Sequence, residues 1–209
     1  MDKSYVLMET VPGHTLNELA YRQPEVLEED ARAVAKQLGE YCAFSFVFGV
    51  RDGYQSNYIY DSKTKWLTRI DKENSLRVPT VIDVNGDEYW AYCREIAACE
   101  LANLKYLPPF RRGGEEQRAI MRAFNTGFYE KHAYMKERRD QLIQYVNKAR
   151  KAGAQYQPPA DPSGYFLQTN IILNSVKALL DQNPEESLKH LYMAKMDLEK
   201  EGVMAFKKE

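Results

Sequence analysis

Residues 28–48 constrain this chain more than any other stretch. Ala31, Val34, Ala35, Leu38, Tyr41, Cys42, Ser45 and Phe46 recur at three- and four-residue steps. That spacing lays one wide apolar face along a helix. Towards its end the pattern becomes apolar on every side, over residues 41–50. A span of the bilayer takes about 20 apolar residues, so this run must be covered by protein instead. Gly49 follows directly and supplies the left-handed cap that stops such a helix. The chain has 209 residues, 44% of them hydrophobic, enough for one large domain, or a domain with an extension, around that element.

The flanking segments complete an α+β, mostly helical reading. Residues 4–9 read as a buried strand, broken by Pro12-Gly13. Thr15-Leu16-Asn17-Glu18 has the capping-box pattern that starts a short helix. A polar loop follows Gly49, then strands near 57–60 and 66–70 separated by a turn at Asp61-Ser62-Lys63. Asn85-Gly86 predicts a type I′ hairpin within 81–89. From about residue 90 the chain reads as helical. One helix runs over 92–106 and is stopped by Pro108-Pro109, and a long region over 114–152 divides near Gly127. Residues 153–164 read as a linker or loop. Two helices, 165–182 and 184–201, close the chain as a hairpin, with Pro184 at a first helical position. The expected organisation is a main unit over 1–152, the linker, and a helical extension over 165–209.

Composition narrows the function. Charged residues make up 28% and nearly cancel, to a net −1. A nucleic-acid partner is not expected, since phosphate backbones call for a clustered basic excess. No secretory or transmembrane segment is read, so the expected location is cytoplasmic; a secreted effector without a cleaved signal has the same appearance. Cys42, Cys93 and Cys99 lie in apolar helical patterns and read as buried free thiols. His14, His132 and His190 lack metal-ligand spacing. Lys131, Lys136, Arg138 and Arg139 form a basic stretch, either a solvated face or a docking face for acidic headgroups or a partner.

The chemistry concentrates in Val50-Arg51-Asp52-Gly53-Tyr54-Gln55-Ser56-Asn57 and Thr68-Arg69-Ile70-Asp71. Phosphoryl transfer needs a group to receive the acceptor proton and hard oxygen ligands for magnesium on the phosphates. Asp52 suits the first task. Asn57, five residues on, offers a neutral carbonyl oxygen, and Asp71, fourteen further, a charged one. The bland alternatives are a solvated Asx turn for Asp52 and Asn57 and a strand-end cap for Asp71.

These motifs resemble the protein kinase superfamily in its broad sense. Arg51-Asp52 with Asn57 is similar to the catalytic loop Arg-Asp-x-x-x-x-Asn, and Ile70-Asp71 to the metal-binding position. Residues 5–16, Tyr-Val-Leu-Met-Glu-Thr-Val-Pro-Gly-His-Thr-Leu, resemble the hinge strand and the start of the next helix. The Gly before the Asp and the Ile-Asp pair lean towards the phosphoinositide kinase and actin-fragmin kinase branches. The resemblance covers about residues 4–76. It implies an ATP- and Mg2+-dependent phosphotransferase of kinase-like fold, acting on a protein or phosphoinositide acceptor, with backbone groups of Glu9 and Val11 meeting adenine. It also implies a C-terminal lobe whose N-terminal lobe lies upstream or on a partner chain. Tyr54 stands where the family has Lys or His, and Asp71-Lys72-Glu73 lacks the usual glycine. Two other readings stay open: a catalytically inactive kinase-like scaffold, and a helical protein–protein interaction module that presents the final hairpin.

Overall fold

A computed structural model describes residues 11–70, 76–80, 82–156 and 162–201. The expected strand at 4–9, including Glu9, lies outside the described residues, as does Asp71. The fold is α+β and mostly helical. Helix α1 (Leu16–Arg22) starts at the expected box: Thr15 accepts from the Glu18 N–H, while the Glu18 carboxylate accepts from the Thr15 N–H. The predicted helix over 28–48 is two elements. Pro24 opens α2 (Pro24–Glu29), and Asp30 breaks the line before α3 (Ala31–Phe48). Gly49 then caps α3 in the left-handed conformation, at φ 59°.

Strands β1 (His14–Thr15), β2 (Tyr58–Asp61) and β3 (Trp66–Arg69) form one antiparallel sheet in that order. The register pairs Thr15 with Ile59 and Tyr58 with Arg69. Alternation puts Tyr58, Tyr60, Leu67 and Arg69 inward. The outer edge of β3 is satisfied by α3 rather than by another strand. Gln37 accepts from the Leu67 N–H at 2.7 Å and donates to the Lys65 carbonyl at 3.0 Å. The Tyr41 hydroxyl donates to the Leu67 carbonyl at 3.0 Å and accepts from the Arg69 N–H at 3.2 Å. The sheet is therefore clamped to the long helix through backbone groups that would otherwise be orphaned.

No hairpin forms over the described part of 81–89. Asn85 and Gly86 instead make an Asx-stabilised turn from Asp83, which leads into α4 (Asp87–Glu100). A 3-10 stretch, Leu101–Tyr106, follows, and Pro108 begins α5 (Pro108–Arg112) as well as ending what precedes it. The next break falls at Arg138, between α6 (Gly114–Glu137) and α7 (Arg139–Tyr156), and not at Gly127. Gly127 stays helical because it lies against the Lys36 carbonyl of α3, as Gly39 of α3 lies against the Phe124 carbonyl of α6. The two glycines let these helices run antiparallel in close backbone contact, with Phe124 and Phe128 filling the core beside Leu38 and Phe46.

Helices α8 (Pro162–Asp181) and α9 (Pro184–Lys200) take up the C-terminal end, and α8 begins inside the segment read as a linker. Val176, Leu179 and Leu180 of α8 and Leu188, Leu191 and Ala194 of α9 join the same apolar cluster as α3. Each large side chain of this kind contributes about 1.5–3 kcal/mol on burial. The three cysteines are buried and unpaired. Among the described residues no helix is long and apolar enough to cross a membrane.

Candidate functional site

The loop between α3 and β2 carries Asp52 and Asn57. Its path is set by side chains that take up three successive carbonyl groups. The Arg51 carbonyl accepts from the Cys99 thiol at 3.1 Å, the Asp52 carbonyl from Asn57 Nδ2 at 3.0 Å, and the Gly53 carbonyl from Asn103 Nδ2 at 2.6 Å. Burial, with the Glu100 charge, pushes the Cys99 thiol upward, so it remains a donor. The backbone on both sides of Asp52 is thus held by the C-terminal end of α4 and the 3-10 stretch after it. The Asp52 carboxylate is half-buried and meets no hydrogen-bond donor among the described residues. Gln55–Asn57 form a single 3-10 turn, closed by the Asn57 N–H on the Tyr54 carbonyl at 2.8 Å.

Asn57 is the junction of the site. Its amide nitrogen is committed to Asp52, which fixes which end of the amide is oxygen. Among the described residues Oδ1 has one long contact, from the Ser56 hydroxyl at 3.4 Å. Its backbone carbonyl accepts from the Ile70 N–H at 2.8 Å, one step beyond the last pair of the β2–β3 ladder. Arg69 and Ile70 therefore leave β3 directly beside Asn57. On the far side of residues 71–75, the Leu76 N–H bonds to the Phe48 carbonyl at 2.7 Å and the Arg77 N–H to the Gly49 carbonyl at 3.2 Å. The Arg51 guanidinium closes this side by donating to the Arg77 carbonyl at 2.7 Å, and it pairs with Glu95 of α4. Ile70 is thus fastened to the end of the loop, at Asn57, and Leu76 to the end of α3, at Phe48.

Beneath the loop is a polar cluster that sequence reasoning missed. Glu100 is fully buried, and its carboxylate accepts from the Ser45 hydroxyl at 2.5 Å, the Arg69 guanidinium at 2.9 Å and the Tyr58 hydroxyl at 2.6 Å. The Gly53 backbone packs on that carboxylate so closely that a Cβ would collide with it. Burial, then the Glu100 charge, drives the Tyr58 phenol well above its usual value. For Arg69, burial pulls downward, but the charge and hydrogen bond of Glu100 together with the neighbouring Tyr58 and Cys99 outweigh it, and the guanidinium is held up. The available signal was an acidic residue near the end of an apolar helical pattern, and such a residue reads equally as a surface position.

Of the expected site residues, Asp52 and Asn57 are brought together. Val11 is half-buried at the entrance to β1. Glu9 and Asp71 lie outside them. Tyr54 is 52% exposed beside the loop. The neighbouring Cys99, partial burial and the Asp52 carboxylate hold its phenol above the ordinary value. Among the described residues no three His, Cys, Asp or Glu side chains gather as metal ligands. Comparison of the chain with protein-family models, with curated proteins and with solved structures returns no match.

Proposed function

We propose that this chain is an ATP- and magnesium-dependent phosphotransferase of kinase-like fold, acting on a protein or phosphoinositide acceptor. The observation that carries the reading is the side-chain pinning of three consecutive carbonyls at Arg51, Asp52 and Gly53. It holds the loop rigid while leaving the Asp52 carboxylate uncommitted among the described residues, as a residue that orients an acceptor hydroxyl and receives its proton must be. Asn57 Oδ1 is a hard, neutral oxygen of assigned orientation, which fits magnesium. Asn57 and Asp71 are the residues that would hold that ion, and Glu9 and Val11 those that would meet adenine through their backbones. Magnesium, when bound, neutralises charge on the phosphates. The chain's own contribution is to position: Asp52 faces the acceptor, and Asn57 ties the loop to the end of β3. The test is transfer from radiolabelled ATP with and without magnesium, using protein and phosphoinositide panels. Wild-type activity should disappear in Asp52→Ala and Asp71→Ala; activity retained in both overturns the reading.

Tyr54 favours a second reading, a kinase-like scaffold without catalysis. Its phenol is exposed and its titration is pushed upward, so it offers a neutral hydroxyl where a cation would neutralise the moving phosphoryl group. Calorimetry with ATP and magnesium separates the two. Magnesium-dependent heat supports the enzyme, and its absence supports the scaffold.

A further inference from the structure

The Arg69–Glu100 pair is a weak source of stability for the burial it requires. Both side chains are almost wholly desolvated, at 1% and 0% exposure, and such pairs exchange for apolar groups with little loss. Among the described residues, Nε and Nη2 of Arg69 have no acceptor. Its location supplies another role. Ser45 comes from α3, Tyr58 from β2, Arg69 from β3 and Glu100 from α4. Glu100 touches Gly53, one residue after Asp52. Arg69 precedes Ile70, whose N–H bonds to Asn57. The pair thus bears on both ends of the loop at once. Hydrophobic replacements would fill the space, but they lack the directional bonds that set one geometry.

We propose that Arg69 and Glu100 are positioning residues that fix the loop bearing Asp52 and Asn57 against the end of β3. This deepens the phosphotransfer reading and rests on it for its catalytic meaning. The experiment uses the full chain with Glu100→Gln, which keeps the shape and the acceptor oxygen but removes the charge. Arg69→Lys serves as a second variant. Amide hydrogen exchange is followed at Ile70 and, as core controls, at Leu38 and Phe124. The expected result is exchange at Ile70 about tenfold faster, with the controls unchanged. Where wild type turns over ATP, kcat should fall about tenfold with KM for Mg-ATP nearly constant, the mark of lost positioning rather than lost binding. Uniform acceleration at all three amides, an unchanged Ile70, or failure of both variants to fold overturns the proposal. Wild type inactive with ATP counts against the phosphotransfer reading alone, because the exchange measurement still decides the positioning role.

Discussion

Gly53 and His132 show how burial makes single side chains decisive. At Gly53 the neighbour is the Glu100 carboxylate, and three donors hold that group in place, so it cannot swing aside. Gly53→Ala should cost about 1–3 kcal/mol in urea unfolding, the range for overpacking a filled site; an unchanged midpoint would show that the carboxylate yields. His132 is wholly buried, with its ring stacked on Phe128 and Nε2 3.3 Å from the Leu179 carbonyl. Nδ1 has no partner among the described residues. Charging the ring adds a buried proton there, and burial accordingly pulls its pKa below 6.5. The unfolded ring protonates first as pH falls. This contribution to stability is therefore complete above about pH 6.5 and is lost as pH drops towards the folded value, at no more than about 1.4 kcal/mol per pH unit. His190, also lowered by burial, adds to the same slope. His132→Gln should flatten the decline in unfolding free energy between pH 7.5 and 5.5 without abolishing it. An identical slope in the variant would refute the assignment.

Local signals were legible where a motif closes on itself. The capping box at Thr15 and the Pro184 helix start needed nothing beyond four neighbouring residues, and both form as read. Thr15→Ala should cost about 1 kcal/mol, the usual loss for a cap, seen as a lower melting midpoint. Elements failed where distant packing decided the outcome. Asn85-Gly86 is a hairpin signal only if strands flank it, and here Asp87 and Glu88 continue as the acidic first turn of α4. Gly127 carries the weakest helix propensity among ordinary residues, yet α6 runs through it because α3 comes too close for any side chain. Gly127→Ala separates the two effects. Propensity alone favours alanine by about 1 kcal/mol. The collision with the Lys36 carbonyl opposes it, and because backbone cannot rotate away, a net loss of about 3 kcal/mol is expected. Calorimetric melting checks the sign, and a stabilised variant would mean the helices are further apart than described. The site divides in the same way: the loop was readable from Asp52 and Asn57, whereas Cys99, Glu100 and Asn103 sit some fifty residues away and only the fold brings them underneath.

The arrangement of the closing helices carries the last consequence. Residues 165–209 read as an appended hairpin, but Leu188, Leu191 and Ala194 of α9 lie in one apolar cluster with Leu38 and Phe46 of α3. Helix α9 also meets α4 through its aromatic face: the Tyr89 hydroxyl lies 3.1 Å from His190 Nδ1, and Trp90 sets its ring edge-on to His190 at 5.5 Å. Since α4 also ends beneath the candidate site, a disturbance of α9 should reach the Asp52 loop through Cys99, Glu100 and Asn103. Leu191 is fully buried, so Leu191→Ala should cost about 2–5 kcal/mol. The two tryptophans, Trp66 in β3 and Trp90 in α4, provide the readout. In a Trp66→Phe background, Trp90 fluorescence reports on the α4–α9 contact and far-ultraviolet circular dichroism on the helices as a set. If the cluster unfolds as one body, the two urea transitions coincide, and Leu191→Ala moves both midpoints by the same amount. If Trp90 shifts at lower urea than the bulk of the helical signal, α9 detaches independently, and the stability of the Asp52 loop must then be explained without it.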